Sequence, residues 1–211
     1  TPFATGGTIT FATGSIYLDT STPLTINSKG AAISVAKVYG VAGGDNNLTI
    51  DADSTGGASA NEKITIGAIG DDDEIAAVTL DAADGITFTG NIELADHAGA
   101  DLDINGKVFI SGDVTITTDN TSDDGTINFS STIDGVTESG TAIDDNLVIL
   151  AGDTSNNPSG NAQGGSLTIT GNIGDAVALT TLKINDGAGN GSIAFTVPQV
   201  GGGGAQGVTG A

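Results

Sequence analysis

Residues 86–92 read Ile86-Thr87-Phe88-Thr89-Gly90-Asn91-Ile92, and residues 167–173 read Leu167-Thr168-Ile169-Thr170-Gly171-Asn172-Ile173. Five of the seven positions are identical. Ile86, Phe88 and Ile92 fall on one side and the threonines on the other. Successive side chains of a strand point to opposite faces, so this alternation describes a strand with one buried face. A looser copy, Ile127-Asn128-Phe129-Ser130-Ser131-Thr132-Ile133, begins 41 residues after the first and 40 before the second. Leu147, inside Asn146-Leu147-Val148-Ile149-Leu150, lies 20 residues from both Ile127 and Leu167. The spacing predicts a repeat of about 20 residues.

The expected fold is therefore all-β, a right-handed parallel β-solenoid (β-helix) with coils of about 20 residues. About eight to ten coils would make a rod of roughly 40 to 50 Å at the usual strand separation. The competing expectation is an antiparallel β-sandwich, a filament subunit joined by strand donation. Asp84-Gly85, Asn105-Gly106, Asp124-Gly125 and Asp134-Gly135 favour it, because Asx-Gly pairs supply positive φ and form tight hairpins. Three segments are expected. Residues 1–47 form an N-terminal strand region that serves as an assembly segment, 48–197 form the β-repeat region, and 198–211 form a Gly-rich tail or linker.

Composition narrows the class. The chain has 211 residues, 34 of them Gly, with six Phe, two Tyr and no Trp. A core of Ile, Leu, Val and Ala has to be thin, which suits a repetitive architecture. The β-branched runs and a mean hydropathy of +0.11 argue against whole-chain disorder. Net charge is −21, and the only cations are Lys29, Lys37, Lys63, Lys107 and Lys183. Such a surface repels nucleic acid phosphates and anionic membranes. No apolar run approaches the roughly 20 residues of a spanning helix. Neither nucleic acid binding nor membrane insertion is expected. With no Cys, thiolate chemistry and disulfides are excluded.

The run Val78-Thr79-Leu80-Asp81-Ala82-Ala83-Asp84-Gly85-Ile86-Thr87-Phe88-Thr89-Gly90-Asn91-Ile92 resembles the β-strand repeats of giant bacterial adhesins and filamentous-haemagglutinin-like surface exoproteins. The theme returns at 147–153, 165–173 and 179–184, so the resemblance covers about residues 48 to 197. It implies secretion, a parallel β-helix, and a stalk or adhesive role at the cell surface, with no catalytic residues. The expected function is an extracellular structural one, a filament- or stalk-forming segment without catalysis. Its expected partner is a further copy of itself or the continuation of a longer chain. A calcium-dependent or carbohydrate-binding adhesion module is the alternative.

Candidate chemistry is sparse. His97, the only histidine, sits in Ala95-Asp96-His97-Ala98-Gly99 without a nucleophile motif, so no triad is expected. Calcium is the ligand that the acidic turns would take, since it seeks hard oxygen donors. The candidate metal ligands are Asp71, Asp72, Asp73 and Glu74, then Asp123 and Asp124, then Asp144 and Asp145. A sugar-binding surface would need an exposed aromatic platform, and Tyr17 and Tyr39 are the side chains expected to supply it.

Overall fold

The computed structural model describes residues 6–19, 22–41, 46–54, 61–71, 73–95, 100–118, 125–138, 141–142, 144–151, 165–184 and 192–195. In chain order the strands are β1 (Ile9–Phe11), β2 (Ile16–Tyr17), β3 (Leu24–Asn27), β4 (Ile33–Tyr39), β5 (Asn47–Asp51), β6 (Lys63–Ile69) and β7 (Ala77–Asp81). There follow β8 (Gly85–Phe88), β9 (Ile92–Glu93), β10 (Leu102–Asn105), β11 (Val108–Ile110), β12 (Asp113–Thr117), β13 (Thr126–Phe129) and β14 (Ile133–Gly135). The last are β15 (Thr137–Glu138), β16 (Thr141–Ala142), β17 (Asn146–Leu150), β18 (Ser166–Ile169), β19 (Thr181–Ile184) and β20 (Ser192–Phe195). No helix occurs among the described residues.

The strands form two parallel sheets. A seven-stranded sheet runs β20-β18-β13-β10-β7-β5-β3, and an eleven-stranded sheet runs β14-β11-β8-β6-β9-β12-β17-β19, with β4 beside β6 and with β1 and β2 beside β4. The larger sheet bends at β4 and β6. In β6, Ile64, Ile66 and Ile69 are buried while both Gly67 and Ala68 face away from the core. Strict alternation slips by one residue there. β8 then pairs with the first half of β6 and β9 with its end. β4 repeats the slip at Ala36 and Lys37. A Cβ on Gly67 would run into the Ala36 carbonyl, so the bend requires glycine on the inner of these two strands.

This arrangement corrects the fold expectation. The protein is all-β and parallel, but it is two large sheets and not a β-solenoid of 20-residue coils. Ladder neighbours lie 22 to 40 residues apart, as in Ile64↔Ile86 and Ile127↔Leu167. The 20-residue half-step does not exist. Leu147 belongs to the other sheet, where it pairs with Val114 and Leu182. The 41-residue spacing is likewise no ladder step, since Ile86 pairs with Ile64 and Val108. The seven strands of the smaller sheet span about 29 Å at the usual separation, less than the expected rod.

The antiparallel sandwich is overturned as well. Among the described residues only β15 and β16 pair antiparallel. Two of the Asx-Gly pairs, Asp84-Gly85 and Asn105-Gly106, are corners, whereas Asp134-Gly135 lies within β14. Gly85 and Gly106 do hold positive φ, 118° and 144°. They pass the chain from β7 to β8 and from β10 to β11, that is, from one sheet to the other. The N-terminal strands β1, β2 and β4 share the sheet of β6 and β8. Residues 198–211, the expected Gly-rich tail or linker, lie outside the described residues.

The core is a set of columns. Ile33, Ile64, Ile86, Val108 and Ile133 stack in register, and Leu48, Val78, Leu102, Ile127 and Leu167 form another column. All ten are buried. Like side chains at strand spacing fit each other without voids, and full burial of each contributes about 1.5–3 kcal/mol. Phe88 and Phe129 are the largest members of these interiors.

Phe88→Ala should lower the unfolding free energy by about 3–5 kcal/mol and Ile169→Ala by about 2–5 kcal/mol, because both are fully buried. Thr87→Ala, on the outward face, should cost less than about 1 kcal/mol. Urea unfolding of the three variants measures this, and equal losses at positions 87 and 88 would contradict the facing.

Candidate functional site

Two clusters and two buried carboxylates hold most of the polar chemistry that the fold organises. The first cluster lies on the outward side of β2, β4 and the end of β6. Register pairs Tyr17 with Tyr39, and their ring centroids stand 5.1 Å apart at 47°. Tyr17 is 51% exposed. The Lys37 Nζ sits 5.8 Å from the Tyr39 ring centre and 2.8 Å from an Asp71 carboxylate oxygen. A half-exposed ion pair of this kind adds little stability, but it fixes the ammonium beside the ring. Tyr17 and Tyr39, the side chains named for an aromatic platform, thus stand side by side, together with a cation that the sequence reading did not attach to them.

The second cluster was not foreseen. At the ends of β3, β5, β7 and β10 one column reads Asn27, Asp51, Asp81 and Asn105. The Asn27 amide donates to Asp51. The Asp53 backbone N–H donates to Asp51 Oδ1 at 2.9 Å, and the Ala83 N–H donates to Asp53 Oδ1 at 2.6 Å. Partial burial, the charge of Asp53, a hydrogen bond with Asp53 and the charge of Asp51 push Asp81 up to about 6. The signal in the sequence is a tetrad ending in Asx: Leu24-Thr25-Ile26-Asn27, Leu48-Thr49-Ile50-Asp51, Val78-Thr79-Leu80-Asp81 and Leu102-Asp103-Ile104-Asn105.

The predicted metal ligands do not gather. Asp71 is engaged with Lys37. Asp73 uses its backbone carbonyl to accept from the Gly40 N–H at 2.8 Å, and Glu74 is half-buried beside it. Asp144 is exposed, whereas Asp145 is fully buried. Asp145 accepts from the Gly112 and Val136 N–H groups at 2.9 and 2.7 Å, one to each carboxylate oxygen. Asp134 holds Ala176 N–H in the same manner at 2.9 Å. These two carboxylates tie corners to strands. Among the described residues no three acidic or histidine side chains converge as metal ligands. Asp72, Asp123, Asp124 and His97 lie outside the described residues.

Two measurements follow. Asp145→Ala should cost about 2 to 5 kcal/mol by leaving two amides without acceptors, while Asp144→Ala should be nearly neutral by thermal unfolding. For Asp81 the folded-state value stands above the ordinary carboxylate value near 3.9. Its contribution to stability is therefore complete below about pH 4 and is lost as pH rises through about 6. Asp81→Asn should raise the unfolding midpoint at pH 7 and leave it nearly unchanged at pH 4. A variant with equal shifts at both pH values would remove the cluster as the cause.

No family model matches this chain, and neither a curated protein nor a solved structure matches it.

Proposed function

We propose that this chain is an extracellular structural protein, a filament- or stalk-forming segment of a bacterial surface adhesin or fibre, working without catalysis. The continuity of the columns carries this reading. The smaller sheet is one unbranched parallel ladder from β3 to β20, and the larger runs from β1 and β2 through β4 to β6, where it divides into one arm through β8 and β11 to β14 and another through β9, β12 and β17 to β19. Tension along the stack is met by many strand pairs. The polar groups support the same reading. Asp134 and Asp145, the two buried aspartates among the described residues, serve backbone amides and so act as internal ties.

A chain tethered at both ends in a force spectrometer should unravel in steps of 22 to 40 residues, the ladder spacing. Each step would release roughly 75 to 140 Å of contour at about 3.4 Å per residue. A single collapse of the whole length at low force would remove the mechanical role. Turnover of a polysaccharide that is abolished by Asp→Asn substitution would remove the non-catalytic one.

The Tyr17–Tyr39 pair supports a second reading, a carbohydrate-binding adhesion surface. An aromatic face beside a fixed ammonium and carboxylate suits a sugar ring. The chain has no Trp and only these two Tyr, so intrinsic fluorescence reports on this patch alone. Titration with acidic and neutral oligosaccharides should change the emission, and Tyr17→Ala should weaken the response roughly tenfold, or about 1.4 kcal/mol. Emission that stays constant through every titration would eliminate this reading.

A further inference from the structure

The inward columns do not all end alike. Through the middle of the molecule their members are sealed; at the N-terminal strands four of them open, while Ile26 of β3 stays buried at the head of the Ile50–Leu80 column. Phe11 of β1 stands on the column of Val35, Ile66 and Phe88, yet it is 43% exposed, while Val35 one strand further in is 2% exposed. Ile9, Ile16 and Leu24 head three other columns and are only half-buried. Phe11 and Tyr17 are the exposed large hydrophobics of the described residues, and both lie on these first strands. Among the described residues the backbone is open at the same place. β1, β2 and β3 are each hydrogen-bonded on one side. The Ile9 N–H donates inward to the Ala32 carbonyl, so strand alternation turns the Thr10 amide to the open edge.

The opposite end continues the same columns with the same strand direction. The Ile16 column finishes at Ile184 of β19, the Leu24 column at Ile193 of β20, and the Ile9 column at Ile173. Opposite Phe11, the corner over Gly135 is formed by Val177, half-buried, flanked by Ala176 and Ala178, both exposed. An exposed Phe on one end therefore faces small exposed apolar residues on the other.

We infer that the β1–β2–β3 edge is an interface for a second copy of this chain, whose β19, β20 and Ala176–Ala178 corner dock there in parallel. Such a contact uses two different surfaces at opposite ends of the ladders, so copies add head to tail and, with the strands kept in one direction, propagate as a filament. The fit is to a second copy because each ladder is extended by strands of its own register, direction and column chemistry. A net charge of −21 opposes the contact. At about 1 M salt the screening length falls to about 3 Å, so association should appear as salt rises.

The test uses the absence of Cys. Ser15 and Lys183, both exposed, precede Ile16 and Ile184, the two ends of one column. Head-to-tail stacking would bring them to adjacent strands, within disulfide reach. Chains carrying Ser15→Cys are mixed with chains carrying Lys183→Cys in high salt and oxidised. The expected result is a mixed 15–183 disulfide in large excess over 15–15 and 183–183. The excess should disappear when Phe11→Lys is added to the Ser15→Cys chain, with circular dichroism and unfolding midpoint unchanged. A monomeric chain at every salt concentration, statistical proportions of the three links, or a mixed link indifferent to Phe11→Lys would each overturn the inference. The inference rests on the structural reading above, yet the two fail separately. Stepwise unravelling under force without a 15–183 link removes the joint and keeps the mechanical role.

Discussion

Everything in this structure depends on like residues standing over like residues at strand spacing. A parallel ladder repeats its backbone every step, so whatever faces inward on one strand meets its counterpart on the next. Ile33, Ile64 and Ile86 occupy equivalent places and therefore adopt equivalent surroundings. With no Trp and with Phe88 and Phe129 as its largest fully buried side chains, the interior is built mainly of Ile, Leu and Val. It is regular, and its regularity makes each column depend on register. A one-residue slip would turn a whole strand inside out.

The slips that do occur are localised and useful. β4 and β6 each lose alternation once, at Ala36-Lys37 and Gly67-Ala68, and the larger sheet bends there. In later layers the bend becomes a break. Thr89-Gly90-Asn91 separates β8 from β9, and Ser111-Gly112 separates β11 from β12. The run that dominates the sequence, residues 86–92, is thus two strands on either side of a fold line. Its inward residues Ile86, Phe88 and Ile92 are nonetheless all fully buried. Period-two alternation gave the right face even where it gave the wrong number of strands.

The all-β class and the burial pattern were legible because they follow from local alternation, whereas the parallel direction rested on the repeat and competed with the hairpin signal of the Asx-Gly pairs. The repeat length was not legible. Leu147 sits midway in sequence between Ile127 and Leu167, but position along the chain does not say which sheet a strand joins. The seven-residue strand at Ile33–Tyr39 was hidden by its own slip, since Val35 and Val38 are three apart. At the candidate sites the tyrosine pair was foreseen from scarcity of aromatics alone. The Asp51–Asp53–Asp81 cluster was missed because its members are up to 30 residues apart and become neighbours only through register. The runs of adjacent acids, by contrast, drew notice as metal ligands. Asp144 and Asp145 both precede β17, yet only Asp145 turns inward onto backbone amides, so Asp144 is exposed while Asp145 is buried.

The uneven ladder spacing has an evolutionary consequence. Strands 22 residues apart and strands 40 apart make the same kind of in-register pair. Steps of different length thus deliver equivalent residues to the same column. Lengthening a connection costs only about 0.6 kcal/mol per doubling in closure entropy. The crossings between sheets are therefore places where new sequence can be inserted, varied or decorated without renegotiating the interior. A lineage built on this plan can change what it displays to its surroundings while inheriting its scaffold intact.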